Sequence, residues 1–163
     1  MTLSARASSG ISGLDDVLGG AGFPRNQMYL VEGNPGAGKT TLGLQFLLAG
    51  LQAGEPVAYV VLAESEKALR RLAASHGWSM AGVHVIESSD NATAHDQYSL
   101  FHPAEIELGQ ANETILGELD KLRPARVVID SLSEVRLLAQ DPLRYRRQIL
   151  TLRHFFDQRD VTA

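Results

Sequence analysis

The sequence predicts an α/β fold in which a mostly parallel sheet carries helices on both faces. Short runs typical of strands occur at 27–32, 56–62, 83–86 and 126–130, and those at 56–62 and 126–130 are typical of buried strands. Between and after them, apolar residues recur at helical spacing over 41–51, 65–76, 103–122 and from 142 onward. Strands that alternate with helices are typical of a parallel sheet, because each crossover between parallel strands needs a connecting element.

Punctuating residues support the boundaries of these elements. Pro103 fits the first turn of one helix, and Pro124 ends it. Asp141 precedes Pro142 and is expected to cap the last helix. The polar stretch 87–102 shows no period, so we expect a loop there.

Composition limits the class of protein. We expect one domain over residues 1–163, since this length is ample for a single core. The chain has no cysteine, which excludes disulfides and thiolate metal sites. The N-terminus lacks the apolar core of a signal peptide, and no apolar run approaches the ~20 residues that cross a bilayer. We therefore expect a cytoplasmic protein without a membrane span.

The formal net charge of −4 argues against a nucleic-acid binder, because such affinity comes from neutralising phosphates. A local exception lies on the last predicted helix, at Arg144, Arg146, Arg147 and Arg153. Three interpretations stay open: a solvated helix face, an arginine that reaches a phosphate in a neighbouring subunit, or a nucleic-acid or partner surface.

The motif G-x-x-x-x-G-K-T occupies residues 33–40, between a predicted strand and a predicted helix. Its residues are Gly33, Asn34, Pro35, Gly36, Ala37, Gly38, Lys39 and Thr40. Such a loop wraps the phosphates of a nucleoside triphosphate with backbone N–H groups, up to Thr41 here, while its lysine neutralises charge and its hydroxyl binds Mg²⁺. The alternative is a glycine-rich turn without a ligand.

Three polar residues follow the predicted strands. Asp130 ends the strand 126–130, where a nucleotide-binding enzyme places the carboxylate that organises Mg²⁺. Glu64 follows the strand 56–62 and could activate the water that attacks the γ-phosphate, or could be an acid near a helix start. Ser131 could contact phosphate, carry a phosphate, or serve only in a turn.

Several stretches together resemble the KaiC-like ATPases of the RecA superfamily. These proteins are P-loop nucleoside triphosphatases. They are GISGLDDVLGG at 10–20, GFP at 22–24, the motif at 33–40, LQFL at 44–47, and the segments 63–78 and 127–148. The resemblance implies a RecA-like core that binds ATP and Mg²⁺ and hydrolyses ATP. It also implies assembly into homo-oligomeric rings, hexamers among them, or filaments, with nucleotide between subunits, and interaction with a signalling partner. Glu64 and Lys39 become the expected catalytic residues, and Thr40 and Asp130 the expected metal-site residues.

The chain departs from this family in two places. Clock-type members have two adjacent glutamates where this chain has Ala63 and Glu64, which makes Ser/Thr autokinase activity less expected than ATP hydrolysis. In the superfamily, the strand after the aspartate strand lies between it and the phosphate-loop strand. Here it would begin near 159–163, so we expect a C-terminally truncated part of a domain of about 230–250 residues. In a complete RecA-like sheet the segments 28–32 and 127–130 should not pair directly. In this chain we expect them to leave a gap, to collapse together or to accept a strand from another chain.

Two functions therefore remain. One is Mg²⁺-dependent ATP hydrolysis coupled to oligomer assembly or signalling. The other is a nucleotide-responsive interaction module with little hydrolysis.

Overall fold

The computed structural model describes residues 6–87, 104–139 and 141–163, without the side chains of 104–112 and 138. Its strands are β1 (Arg6–Ala7), β2 (Phe23–Pro24), β3 (Val57–Val61), β4 (Val83–Glu87) and β5 (Arg126–Asp130). Its helices are α1 (Ser12–Val17), α2 (Lys39–Gln52), α3 (Glu66–Ser75), α4 (Ala104–Leu122), α5 (Leu132–Ala139) and α6 (Pro142–Asp157). No helix in these ranges is long and apolar enough to cross a membrane.

The main sheet has the strand order β4-β3-β5, and both of its strand pairs are parallel. Tyr59 at the middle of β3 is in register with Val85 on one side and Val128 on the other. All five residues of β3 are buried, as expected for a central strand that reads as a continuous apolar run. Strands β1 and β2 form a separate antiparallel pair near the N-terminus.

Helices cover both faces of this sheet, which confirms the predicted class. Alternate side chains of β3 point to opposite faces. One apolar cluster contains Tyr59 together with Leu44 and Leu47 of α2. The cluster on the other face contains Val60 together with Leu119 of α4 and Phe156 of α6. Burial of these two helical layers against the sheet accounts for the core.

The last residues of the chain lie between β5 and the segment that leads to the 33–40 loop. Thr162 accepts a hydrogen bond from Val127 N (3.0 Å) and donates one to Ala125 O (3.0 Å). On the other side, Ala163 accepts from Tyr29 N (2.8 Å) and donates to Gln27 O (3.1 Å). The segments 28–32 and 127–130 are therefore not direct neighbours, as expected for a complete sheet. Where the segments begin, the chain's own residues 162 and 163 lie between them, an arrangement that was not among those expected for this chain.

Two sequence-based expectations need correction. Residues 27–32 do not form an assigned strand, since only Gln27 and Tyr29 find a backbone partner in Ala163, and in the described part of the chain residues 30–32 have none. Helix α5 was not predicted, because its eight residues are too few to show a helical period. The predicted helices 41–51, 65–76 and 103–122 and the last helix are found within a few residues of their expected bounds. The expected loop beyond Glu87, and Pro103, lie outside the described residues.

A buried arginine ties the N-terminal segment to the core at the edge of the sheet opposite the 33–40 loop. The Arg126 side chain is 2% exposed and donates from Nε to Glu55 Oε2 at 2.5 Å. Its Nη1 donates to Ser8 O (2.6 Å) and Phe46 O (2.9 Å). Arg25 also pairs with Glu55. One carboxylate is therefore shared by two guanidinium groups.

Candidate functional site

The 33–40 loop has the backbone shape that its glycines permit. Gly36 and Gly38 adopt φ values of +79° and +88°, in the left-handed region that other residues rarely occupy. Helix α2 begins directly after the loop at Lys39, and no side chain caps its N-terminus. Its first N–H groups therefore point toward the loop as open donors at the positive end of the helix dipole.

Lys39 closes the loop on itself in this structure. Its Nζ donates to the carbonyl oxygens of Gly33 (2.8 Å) and Asn34 (3.0 Å). Residues 33–38 are exposed. The loop thus combines a cation, open N–H groups and access from solvent, which are the properties an anion site needs.

Helix α2 lies unusually close to β5 at one point. A Cβ on Gly43 would stand 2.9 Å from Val128 Cγ1, so only glycine fits there without a shift. This close approach places the start of α2 beside the carboxyl end of β5. The carboxyl ends of parallel strands are the edge at which α/β proteins bind ligands.

A three-residue hydrogen-bonded cluster forms at this edge. Thr40 Oγ1 donates to Asp130 Oδ2 at 2.6 Å, and Tyr59 Oη donates to the same oxygen at 2.8 Å. Asp130 is half-buried, whereas Tyr59 is fully buried. Burial, the charge of Asp130 and the hydrogen bond to it raise the pKa of Tyr59, so its phenol stays a donor. The structure thus brings the predicted residues Thr40 and Asp130 into direct contact.

Glu64 lies three residues beyond the end of β3, at the same carboxyl edge of the sheet as Asp130. Its side chain is exposed, and Ser65, the next residue, caps α3 by accepting a hydrogen bond from Ala68 N. The negative charge of Glu64 contributes to the raised pKa of Tyr59, after burial and the effects of Asp130. Glu64 is therefore near the cluster and open to solvent, without a hydrogen-bond partner among the described residues.

A cavity of about 350 Å³ lies between residues 29–33 and the elements β5 and α5. Its polar lining includes Lys39, Asp130, Ser131 and Arg136, which all face one space. Its apolar lining comes largely from the segment before the loop, where Leu30 is 62% exposed. The predicted Ser131 thus borders the same cavity as the loop lysine.

The residues at this edge are suited to Mg²⁺ that also binds water and phosphate, and not to a metal ion whose ligands all come from the protein. Mg²⁺ usually keeps several waters and binds through one or two carboxylates or hydroxyls plus substrate phosphates. Thr40 and Asp130 supply such a hydroxyl and carboxylate 2.6 Å apart. Within 6–87, 104–139 and 141–163, no three His, Cys, Asp or Glu side chains come together as a metal cage.

Comparison with known proteins decides the family. The family model described as "ATPase: KaiC" matches residues 7–163. The chain belongs to this KaiC family of ATPases. The similarity therefore extends over nearly all of the described fold, including the loop, β3 and β5.

Relatives of known sequence and structure agree with this assignment. An Aeropyrum pernix protein described only as a UPF0273 protein is 30% identical over 168 residues, covering 97% of this chain and 66% of the relative. The Synechocystis circadian clock protein KaiC2 is 28% identical over 97% of this chain and 28% of its own length. A crystal structure of a KaiC-like protein from Pyrococcus horikoshii superposes with a TM-score of 0.78 at 28% identity, covering 98% of this chain and 70% of that one. The chain thus spans about two thirds of the length of the Aeropyrum pernix relative and 70% of the Pyrococcus horikoshii structure.

Sequence reasoning missed Tyr59 as a member of this site. A tyrosine within PVAYVVL is typical of a buried strand and gives no sign of its hydroxyl's partner. Strand register would have indicated the contact. Val128 is paired with Tyr59, and Asp130 is two residues beyond Val128, so the side chains of Tyr59 and Asp130 lie on the same face of the sheet. Register is known only once the strands are aligned.

Proposed function

We propose that this chain is the nucleotide-binding part of an enzyme that binds ATP with Mg²⁺ and hydrolyses it. The observation that carries this proposal is the 2.6 Å hydrogen bond from Thr40 to Asp130 directly behind the open 33–40 loop. A hydroxyl and a carboxylate in this arrangement are what a phosphoryl-transfer site needs beside its phosphates. Membership of the KaiC ATPase family supports the same reaction.

The proposed roles follow from where the residues lie. The N–H groups of residues 36–41 hold the phosphates, and Lys39 exchanges its two loop carbonyls for the β- and γ-phosphate oxygens. Thr40 and Asp130 hold Mg²⁺ and its waters. When bound, Mg²⁺ offsets the negative charge that develops on the phosphates.

Glu64 is proposed as the general base. It accepts a proton from water as the water oxygen bonds to the γ-phosphorus, and the bond from that phosphorus to the bridging oxygen breaks. ADP leaves with the bonding electron pair, and inorganic phosphate is the second product. The exposed position of Glu64 leaves it free to reach this water.

The test replaces Glu64 by Gln, which keeps shape but cannot take the proton. We expect ATP·Mg²⁺ affinity to stay within about twofold, while phosphate release falls by roughly 10²–10⁴-fold, the usual range for a general base. Glu66→Gln is the matched control, because Glu66 is two residues away and pairs with Arg70 on the surface of α3. It should leave both quantities unchanged.

Two outcomes would contradict this assignment. Equal turnover in wild type and Glu64→Gln would remove Glu64 from the chemistry. Absence of ATP·Mg²⁺ binding in the wild-type chain would remove the proposed function as a whole. The measurement should be run both on residues 1–163 and on a version extended at the C-terminus.

A nucleotide-responsive module with little hydrolysis is the second candidate. It is favoured by the backbone of residues 30–32, which has no strand partner among the described residues, since a loosely held loop positions phosphates poorly. Bound ATP with no phosphate release, in both lengths of the chain, would select it.

Assembly into a homo-oligomeric ring or filament is part of the proposal, by analogy with the family. Exposed Arg144, Arg146, Arg147 and Arg153 are candidates to approach a neighbouring copy, although Arg153 also lies 3.6 Å from Asp157. Light scattering with and without ATP·Mg²⁺ would test this.

A further inference from the structure

The Asp130 carboxylate is held from two sides. Thr40 approaches its Oδ2 from helix α2, and Tyr59 approaches the same oxygen from strand β3, at 2.6 and 2.8 Å. Its other oxygen, Oδ1, accepts no hydrogen bond from any described residue. The carboxylate is therefore turned so that one oxygen faces protein donors and the other is available to the ligand site.

A single hydrogen bond would not fix this orientation. With Thr40 alone, the carboxylate could rotate about its Cβ–Cγ bond and still accept the same proton. A second donor from β3 removes that freedom, because rotation would break one of the two short bonds. Tyr59 can act in this way because it is fully buried and its ring packs in the α2-facing core.

We propose that Tyr59 is a positioning residue for the metal site: its phenol holds Asp130 so that Oδ1 faces Mg²⁺ and its waters. This inference rests on the proposed ATP·Mg²⁺ function and adds a residue that does not touch substrate. Groups that orient a metal-site carboxylate commonly affect metal affinity as strongly as tenfold to a hundredfold.

Tyr59 also joins two parts of the site. It belongs to β3, the strand that leads to Glu64, while Asp130 ends the neighbouring strand β5. Backbone pairing of β3 with β5 sets the distance between the two strands, and the hydrogen bond from Tyr59 adds an orientation of the Asp130 carboxylate relative to β3.

The test removes only the hydroxyl, in Tyr59→Phe. ATP binding is measured with EDTA and then as Mg²⁺ is added, and Mn²⁺ binding in the presence of ATP is followed by electron paramagnetic resonance. We expect metal-free ATP affinity to be unchanged, while the Mg²⁺ and Mn²⁺ concentrations for half-saturation rise on the order of tenfold. Tyr29→Phe is the matched control, because the Tyr29 hydroxyl donates to Pro24 O (2.8 Å) and not to Asp130; it should leave metal dependence unchanged.

A double-mutant cycle separates positioning from general destabilisation. In an Asp130→Asn background, Tyr59→Phe should cause no further loss of Mn²⁺ affinity, since the carboxylate it orients is gone. Equal additional losses in both backgrounds would overturn the proposal. So would unchanged metal half-saturation in Tyr59→Phe, provided that wild type binds ATP·Mg²⁺; failure of wild type to bind would instead remove the proposed function.

If Tyr59→Phe does not fold, the wild-type sequence labelled with 3-fluorotyrosine gives the answer. The Tyr59 fluorine resonance, assigned by replacing the other three tyrosines singly with Phe, should shift when Mg²⁺ is added to the ATP complex. A resonance that shifts with ATP alone and not with Mg²⁺ would overturn the proposal.

Discussion

Replacement of Glu55 by Gln should destabilise the fold far more than replacement of a surface glutamate. Glu55 is the shared partner of Arg126 and Arg25, and the Arg126 side chain is only 2% exposed. Gln has nearly the same shape, so packing is kept and the charge is lost. The Arg126 guanidinium would then stay buried beside a second arginine, without a carboxylate in contact among the described residues.

The expected loss can be set from these contacts. Removing one partner of a buried ion pair costs about 3–5 kcal/mol, since the remaining charge is uncompensated. Two features place the expected loss of stability in Glu55→Gln near the lower end of this range. The Glu55 side chain is 16% exposed, and Arg126 keeps its hydrogen bonds to Ser8 O and Phe46 O. We expect about 3 kcal/mol, or about 1.5 M in urea midpoint for an m value of about 2 kcal/mol/M.

Urea unfolding followed by tryptophan fluorescence measures this loss. The chain has one tryptophan, Trp78, which packs against the α2-facing core. Glu66→Gln again serves as the control, because its surface pair with Arg70 is worth about 0.3–0.5 kcal/mol. A Glu55→Gln loss no larger than this control would refute the reasoning.

The same pair of proteins gives a pH test. Burial opposes ionisation of Glu55, but hydrogen bonds and charges from Arg126 and Arg25 outweigh it and lower the pKa of the Glu55 carboxyl. Its contribution is therefore fully present above the unfolded glutamate pKa of about 4.3 and is lost as pH falls through the lower folded value. The stability difference between wild type and Glu55→Gln should shrink below about pH 4. A constant difference down to pH 2 would contradict this.

Three further changes have defined outcomes. Lys39→Ala should weaken ATP binding by roughly tenfold to a hundredfold in a titration, because a charge-assisted hydrogen bond to phosphate is lost; unchanged affinity would exclude the loop as a phosphate site. Gly43→Ala should lower the melting temperature, because the added Cβ would stand 2.9 Å from Val128 Cγ1. Gly117→Ala on α4 should raise the melting temperature, because the added Cβ would have no neighbour within 4 Å and alanine favours the helix by up to ~1 kcal/mol. Asp141→Ala should cost about 1 kcal/mol, because Asp141 accepts from the first N–H groups of α6; an unchanged midpoint would show that this cap is dispensable.

Much of the fold could be predicted from the sequence because its strands appear as short apolar runs between helical periods. The fully buried β3 is a continuous apolar run, and β3, β4 and β5 were found within one residue of their predicted bounds, although His84 and Glu87 of the outer strand β4 are exposed. Residues 27–32 have the same appearance, but a strand exists only where a neighbour supplies hydrogen bonds. Among the described residues, Ala163 is the neighbour that forms backbone hydrogen bonds with this segment, and it does so only with Gln27 and Tyr29.

The polar contacts were harder to predict. The motif at 33–40 and the acid that ends β5 led to Thr40 and Asp130, whose contact the structure then supplied. Arg126 gave no such indication, because an arginine at the start of a strand is usually solvated, and its burial depends on carbonyls 118 and 80 residues away. Tyr59 was missed for a related reason: its hydroxyl partner follows from strand register, which local sequence does not contain.

These observations bear on how the site is held together. The loop is not anchored on its N-terminal side by strand pairing, since residues 30–32 have no backbone partner in the described part of the chain. Instead, α2 is held against the sheet by Leu44 and Leu47 and by its close approach at Gly43. The hydrogen bond from Thr40 to Asp130 then joins this helix directly to β5. The proposed metal-site residues Thr40 and Asp130 thus owe their geometry to helix–sheet packing, whereas the loop follows a segment that borders a cavity and has no backbone partner among the described residues. A perturbation of the segment 30–32 should therefore move the loop more than it changes the contact between Thr40 and Asp130.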